Sequence, residues 1–202
     1  TGSILKPYLY AAMLNDGYIL PQTLVPDVPT QISGYSPQNF NLTYDGAVPA
    51  SRALARSLNI PSVLMLQDYS VNQFYEKLQQ LKLRNVNRQP SNYGLSLILG
   101  GAESNLWDLC KAYAYMSSTL TYFNQNDSKY RKNEMLNLNY DADFQPDFGS
   151  SSRQKNIFGA GAIWQTFNAM KEVNRPEGDE AWKFYDSSLE IAWKTGTSFG
   201  SR

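Results

Sequence analysis

Apolar side chains recur at helical spacing along the first stretch of the chain, Thr1–Leu14. Because proline is tolerated only near the start of a helix, Pro7 places the first turn around Ser3. The polar run Asn15–Gly17 then ends this helix. The same periodicity predicts further helices over Ala50–Ser57, Pro61–Asp68 and Ile157–Met170. Two more helices are predicted to begin directly after Ser70 and Ser104, which are candidate capping residues.

A different pattern, the alternation of apolar and polar residues, predicts a strand over Leu189–Lys194. A weaker strand is predicted near Met135–Tyr140, within the polar region Thr121–Asn156. A lone strand is not stable, because its edge groups need hydrogen-bond partners. Few partner strands are recognisable in the sequence, so we expect neighbouring strands of the sheet to lie outside these 202 residues.

Composition narrows the chemistry that the chain can perform. Its 202 residues, enough for one domain with a substantial core, include 18 basic and 18 acidic side chains, and this balance argues against a nucleic-acid surface. No apolar run reaches the roughly 18–20 residues needed to cross a bilayer. The absence of histidine excludes Ser-His-Asp and Cys-His nucleophiles, and a Cys/His zinc site, within this chain. The single cysteine, Cys110, is expected to be a small core residue.

A serine and a lysine stand three residues apart at the start of the first predicted helix. On a helix this spacing places Ser3 and Lys6 on one face. Lysine is the base available to activate a serine here, and partial burial near other cations lowers a lysine pKa. We therefore predict Ser3 as a nucleophile and Lys6 as its base, with the Ser3 N–H as one oxyanion donor. Alone the pair is a weak signal, since Ser3 also suits a helix cap.

A second serine precedes an asparagine in Ser57-Leu58-Asn59. Alone this tripeptide is compatible with an ordinary helix C-terminus. In combination with the first pair, we predict that Ser57 relays a proton between Lys6 and a leaving amine. The Asn59 amide would hold the carbonyl of a substrate peptide.

The predicted strand runs into Lys194-Thr195-Gly196-Thr197. Gly196 leaves room for a bound peptide to add to the strand edge through main-chain hydrogen bonds. The Thr195 and Thr197 hydroxyl groups suit a substrate carboxylate, while Lys194 supplies a positive field. The Thr197 N–H is the natural second oxyanion donor. Taken alone, this segment is also compatible with an edge strand that ends in a polar turn.

The three motifs occur in the order in which S-x-x-K, S-x-N and K-T-G form one acyl-transfer site. With its flanking stretches, the chain resembles the transpeptidase domain of class A penicillin-binding proteins, most of all the penicillin-binding protein 1C subtype. The resemblance covers nearly the whole chain and is weakest across Thr121–Asn156. The stretches that carry it are Thr1–Tyr10, Tyr44–Pro49 with the run through Ser57, Leu99–Ser104, Ala112–Tyr115 and Ala192–Ser198.

This resemblance implies a serine-type D-Ala-D-Ala transpeptidase that cross-links peptidoglycan stem peptides. Ser3 would be acylated by the donor peptide, and β-lactams would acylate the same serine. No cofactor and no metal ion is implied. The implied partners are stem peptides and β-lactam antibiotics, not nucleic acid. The parent protein would be anchored in the inner membrane among other cell-wall proteins, with this domain on the periplasmic face.

The resemblance also implies the fold class, α+β with the β-lactamase/transpeptidase-like architecture, in which a helix-rich lobe accompanies an antiparallel sheet. Residues 1–202 are then expected to be a partial transpeptidase domain, without a glycosyltransferase domain and with the sheet truncated at both ends. We expect such a fragment to show little or no turnover by itself.

Two other interpretations stay open. A serine β-lactamase or D,D-carboxypeptidase shares the three motifs and differs in deacylation by water. A non-catalytic module that holds peptidoglycan peptides would carry a relict site, although intact Ser3, Lys6, Asn59 and Lys194 argue against degeneration.

Overall fold

The computed structural model describes residues 1–32, 34–137, 150–172 and 190–197, and helices dominate these ranges. The α-helices are α1 (Lys6–Asn15), α2 (Ala50–Ala55), α3 (Asn59–Tyr69), α4 (Val71–Gln80), α5 (Pro90–Tyr93), α6 (Leu106–Gln125), α7 (Glu134–Asn137) and α8 (Ala160–Lys171). Short 3₁₀-helices span Gly2–Leu5 and Gly94–Leu99. The strands are β1 (Leu24–Asp27), β2 (Gly46–Pro49), β3 (Tyr130–Arg131) and β4 (Ser151–Ser152).

Helix α1 is the centre of the core. Every residue from Lys6 to Met13 is buried, and a helix that is covered on all sides belongs inside a domain. Helices α2, α3, α4 and α8 all contact it. The 3₁₀ turn Gly2–Leu5 leads directly into α1, so the chain is helical from Gly2 to Asn15, close to the predicted range.

Helix α4 begins as the sequence predicts. The Ser70 hydroxyl accepts a hydrogen bond from the Gln73 N–H at 3.2 Å and so caps the helix. The amphipathic pattern of α4 is real as well, since Phe74 and Leu78 are buried while the polar residues around them face outward.

The sheets are small and antiparallel. Strand β1 pairs with β2 in the register Leu24↔Pro49 to Asp27↔Gly46, and β3 pairs with β4. Sequence patterns missed β1 and β2 because both are four residues long and contain proline. A helix-rich chain with antiparallel pairs is the predicted α+β class, which is thereby confirmed.

The predicted strand Leu189–Lys194 is wrong over its described part. From Glu190 onwards the segment has no regular secondary structure. The physical reason is that a strand needs a neighbouring strand for its backbone hydrogen bonds. The alternation of apolar and polar residues predicts which side chains share a face, but it does not provide that neighbour. The Trp193 N–H instead donates to the Met170 carbonyl at the end of α8, at 3.4 Å.

Three smaller predictions also fail. Helix α6 begins one residue later than expected, so its cap is the side chain of Asn105, which accepts from the Asp108 N–H at 2.7 Å, and not Ser104. Cys110 is exposed, because it lies off the buried face of α6, which includes Ala112, Tyr115 and Met116. In the predicted strand Met135–Tyr140, the described residues up to 137 belong to helix α7.

Candidate active site

Ser3 lies in the 3₁₀ turn that leads into α1. The turn is held in place by Tyr113, whose hydroxyl donates to the Ile4 carbonyl at 3.1 Å. Ser3 is partly exposed, and its hydroxyl takes part in no hydrogen bond with the described residues.

Two other backbones pack tightly against the residue before Ser3. Gly2 has a φ of 55°, and a Cβ on it would lie 2.3 Å from the Thr197 carbonyl oxygen and 2.8 Å from the Thr197 nitrogen. On the other side, a Cβ on Gly100 would lie 2.9 Å from Gly2 Cα. Only glycine allows these approaches. They bring the Lys194–Thr197 segment beside the serine turn.

Lys6 is a buried hub, with 2% of its surface exposed. Its ammonium donates to the Ser57 carbonyl at 2.8 Å, to the Leu58 carbonyl at 3.2 Å and to Asn59 Oδ1 at 2.7 Å. The Ser57 hydroxyl lies 3.5 Å from the same nitrogen. These contacts join the first and second motifs across about 50 residues of sequence.

Ser57 lies between two lysines. Its Oγ accepts from Lys194 Nζ at 2.7 Å and faces Lys6 Nζ at 3.5 Å. When both lysines are protonated they are donors, and the Ser57 hydroxyl proton is then left for a third group. The backbone at Ser57 has a φ of 56°, a left-handed conformation that costs a non-glycine residue roughly 1 kcal/mol or more. The contacts around the site hold it there.

The surroundings of Lys6 and Lys194 lower the pKa of both side chains. The pKa of Lys6 lies well below its ordinary value of 10.5, chiefly because burial disfavours the ammonium and secondly because the Lys194 charge is close. Burial also lowers the pKa of Lys194, to about 8. Neither lysine forms an ion pair with a carboxylate among the described residues. A lysine with a lowered pKa is better suited to accept a proton than one at its ordinary pKa.

Asn59 is fixed by both ends of its amide. Its Oδ1 accepts from Lys6, as above, and its Nδ2 donates to the Gln38 carbonyl at 2.8 Å. An amide nitrogen carries two hydrogens, so one donor of Asn59 remains for a ligand carbonyl.

The third motif lies against the first. Gly196 packs against Ile4 and Thr1, since a Cβ there would lie 2.6 Å from Ile4 Cγ1 and 2.9 Å from the Thr1 carbonyl oxygen. Thr195 and Thr197 are exposed. Lys194 Nζ also donates to the Thr195 carbonyl at 2.7 Å, which curls this segment toward Ser57.

An open groove of about 730 Å³ adjoins this cluster. It runs between α6, α8 and residues 190–194, and Lys194 lies on its border with the polar site. The groove is lined by the aromatic residues Tyr113, Trp164, Phe167 and Trp193, together with aliphatic and polar residues that include Ile4.

The structure thus brings together Lys6, Ser57, Asn59 and Lys194 through direct hydrogen bonds. Thr197 packs against Gly2, the residue before Ser3. Sequence reasoning missed the second layer, which consists of Gln38, Asn39, Asp27, Tyr113 and Gly100. One signal pointed to part of it: the sequence offers no capping side chain at Leu58, just before α3.

Comparison with known proteins shows the family to which the chain belongs. A family model described as the penicillin binding protein transpeptidase domain matches residues 1–200. The chain is 35% identical over 205 residues to penicillin-binding protein 1C of Escherichia coli (strain K12), covering 100% of this chain and 23% of that protein. It is 29% identical over 208 residues to penicillin-binding protein 1B of Vibrio cholerae, covering 100% of this chain and 25% of that protein.

Solved structures share the fold. A peptidoglycan glycosyltransferase from Burkholderia ambifaria matches with a TM-score of 0.68 and 15% identity, over 98% of this chain and 62% of that one. The TP domain of Burkholderia pseudomallei penicillin-binding protein 3 matches with a TM-score of 0.63 and 16% identity, over 90% of this chain and 55% of that one.

The family model covers nearly the whole chain, and the chain belongs to the penicillin-binding protein transpeptidase family. The family predicted from the sequence is confirmed, and the 1C match agrees with the predicted subtype. The chain spans about a quarter of the length of these two curated relatives. No helix among the described residues combines the length and apolar character needed to cross a bilayer.

Proposed function

We propose that this chain carries a D,D-transpeptidase site in which Ser3 is acylated by the D-Ala-D-Ala end of a peptidoglycan stem peptide. The observation that carries the proposal is the buried Lys6 ammonium bound to both Ser57 and Asn59, with Lys194 on the other side of Ser57. Desolvation and a neighbouring cation are the conditions that turn a lysine into a base.

In the first half-reaction, Ser3 Oγ bonds to the carbonyl carbon between the two D-Ala residues. Neutral Lys6 takes the Ser3 proton, and the Ser3 and Thr197 N–H groups stabilise the oxyanion. The C–N bond then breaks. The proton reaches the leaving D-Ala amine through Ser57, whose hydroxyl lies 3.5 Å from Lys6 Nζ.

In the second half-reaction, the amine of a neighbouring stem peptide attacks the Ser3 ester. The new amide bond is the cross-link, and the proton lost by the amine returns to Ser3 through the same groups. Ring opening of a β-lactam by Ser3 follows the first half-reaction, except that the leaving nitrogen stays attached.

The remaining site residues bind substrate. The exposed Thr195 and Thr197 hydroxyls and the Lys194 charge suit a carboxylate, and the free Asn59 donor suits a peptide carbonyl. Ile4 and Thr1 occupy the space where a Gly196 side chain would lie, so Gly196 would serve substrate binding through its backbone and by letting this segment pack close to Ser3. With such a substrate, the site would lie outside the cytoplasm, on the periplasmic face of the inner membrane. The parent protein would be anchored in that membrane beside other cell-wall proteins.

Intact mass after incubation with a penicillin tests this function. Because the chain spans about a quarter of its relatives and we propose a partial domain, the measurement uses this chain and a form extended at both ends. We expect an adduct of one penicillin, absent from Ser3→Ala and kept in Ser91→Ala, which changes an exposed serine in another short helix. No adduct on either form would overturn the proposal.

Product analysis separates the two rival functions. Rapid loss of the adduct to water, or release of D-Ala without a cross-linked product when an acceptor amine is present, would indicate a β-lactamase or D,D-carboxypeptidase. A module with a relict site would bind a stem peptide equally well as wild type and as Ser3→Ala, and would form no adduct.

A further inference from the structure

The side-chain amide of Asn39 is buried and fully satisfied. It has 1% of its surface exposed. Its nitrogen donates to Asp27 Oδ1 at 2.7 Å and to the Thr43 carbonyl at 2.9 Å, and its oxygen accepts from the N–H groups of Asn59 at 2.9 Å and Ile60 at 3.3 Å. Both donors and both acceptor positions are used. Since all four partners have fixed polarity, the amide has one possible orientation.

Asn39 acts as the missing cap of helix α3. The residue before this helix, Leu58, has no side chain that could accept from the first N–H groups. Asn39, 20 residues upstream of Asn59, supplies the acceptor instead. The start of α3 is therefore fixed by a distant loop and not by its own sequence.

The same loop also holds the Asn59 side chain. The carbonyl of Gln38, next to Asn39, accepts from Asn59 Nδ2 at 2.8 Å. The loop thereby grips both the backbone and the side chain of Asn59, which leaves Asn59 Oδ1 directed at Lys6 Nζ, 2.7 Å away.

Asp27 sets the orientation of Asn39. It is fully buried at the end of β1 and accepts both from Asn39 and from the Asp45 N–H, at 3.1 Å. The described residues place no cation in an ion pair with it. A buried carboxylate is costly unless it is hydrogen-bonded, and the Asn39 amide is the closer of its two donors.

We propose that Asp27 and Asn39 form a positioning pair, which holds Ser57-Leu58-Asn59 against Lys6 and so sets the geometry of the acyl-transfer site. The inference rests on the proposed function for its catalytic consequence only. Neither residue touches the reacting atoms. Their effect passes through Asn59 to the amine of Lys6.

Asp27→Asn tests the pair with the least change of shape. An asparagine at position 27 faces two donors, the Asn39 amide and the Asp45 N–H, and can accept from only one through its oxygen while its NH₂ opposes the other. We expect acylation at saturating penicillin to fall about 10- to 100-fold, because small misplacements of catalytic groups have effects of this size. Asp68→Asn is the control, since it removes an exposed carboxylate from α3 itself, and should change the rate less than about twofold.

The exchange of the two side chains provides a rescue. In Asn39→Asp, two carboxylates face each other, and the rate should fall at least as far as in Asp27→Asn. In the double variant Asp27→Asn/Asn39→Asp, a donor again faces a carboxylate and the α3 amides keep their acceptor. We expect about tenfold recovery over Asn39→Asp, short of wild type because the new carboxylate faces the Thr43 carbonyl. A double variant no faster than either single variant contradicts the pairing.

The titration of Lys6 by ¹³Cε NMR gives a readout that a purely structural role would not move, and it does not depend on acylation. Asn59 Oδ1 favours the ammonium of Lys6, while the nearby Lys194 disfavours it. Displacement of Asn59 in Asp27→Asn should therefore lower the pKa of Lys6, and the double variant should restore it. An unchanged Lys6 pKa in Asp27→Asn with only a lower melting temperature would overturn the inference.

These measurements separate the two claims. If wild type is never acylated but the Lys6 titration responds as described, the proposed function fails and the positioning pair stands. If wild type is acylated and neither rate nor titration responds, the reverse holds. If Asp27→Asn does not fold, the acylation rate and the Lys6 titration are measured on Asn39→Asp instead, because a carboxylate at position 39 still caps α3.

Discussion

Single residues in this site are defined by what surrounds them. Ser3 and Lys6 could be predicted as a pair from spacing and from the absence of histidine. Their roles were predicted with them, but the groups that lower the Lys6 pKa could not be identified from the sequence, because they are the burial of Lys6 and the charge of Lys194, which lies far away in sequence. Asn59 was predicted as a ligand for substrate, and its engagement with Lys6 came only from the fold.

At this scale, the Lys194 charge should control the pH profile of acylation. Lys6 must be neutral to accept a proton, so the rate at saturating penicillin rises with pH through the Lys6 pKa. Removal of the neighbouring charge in Lys194→Met should raise the Lys6 pKa and move this rising limb to higher pH. Lys132→Met, which removes an exposed lysine, is the control. A limb that stays in place in Lys194→Met contradicts the coupling.

Short elements position the site more than the long helices do. The turn Gly2–Leu5, the left-handed residue Ser57 and the segment 194–197 carry its groups, and α1 supplies the rigid base. Sequence periodicity located α4 and α8 well, because each has one buried face, and it also located α1, which is buried on all sides. It failed at Leu189–Lys194 and missed β1 and β2, because strand formation depends on partners that periodicity does not reveal.

The close backbone packing predicts an uneven response to alanine. Gly2→Ala places a methyl group 2.3 Å from the Thr197 carbonyl oxygen at a φ of 55°, so we expect a loss of roughly 2 kcal/mol or more of unfolding free energy and a large loss of acylation. Gly161→Ala, in helix α8 with open space around it, should instead gain about 0.5–1 kcal/mol. Urea unfolding measures both. A neutral Gly2→Ala would show that the two segments do not pack as described.

Among the described residues, helices pack around α1, and the candidate active site lies at the N-terminal end of α1. The family and the α+β class followed from three short motifs, since their order is more specific than any one of them. The loop between β1 and β2 could not be predicted in the same way. Its role depends on Asp27 and Asn39 meeting in the interior, and contacts at that separation leave no local pattern.

The same burial predicts how global stability changes with pH. Lys6 and Lys194 have lowered pKa values in the folded state, so unfolding free energy should rise as pH increases from about 8 toward 10.5. Burial raises the pKa of Tyr10 to about 12 and that of Tyr8 as well, so stability should fall again above pH 10.

Urea unfolding between pH 7 and 11.5 measures this curve. Tyr10→Phe should weaken the alkaline loss and, because the buried Tyr10 hydroxyl has no hydrogen-bond partner among the described residues, should cost no stability at pH 7. Stability that declines steadily from pH 8 would contradict the assignment of the lysines.

The central claim is that a buried, desolvated lysine serves Ser3 as its base. The most direct test is the rate of Ser3 acylation by a saturating penicillin in Lys6→Ala, followed by intact mass in the form of the protein that is acylated, with Lys132→Ala beside it. We expect a fall of about 10²- to 10⁴-fold in Lys6→Ala, with a folded protein and an unaffected control. Acylation of Lys6→Ala within about threefold of wild type would show that the proton goes elsewhere, and the base assigned here would be wrong.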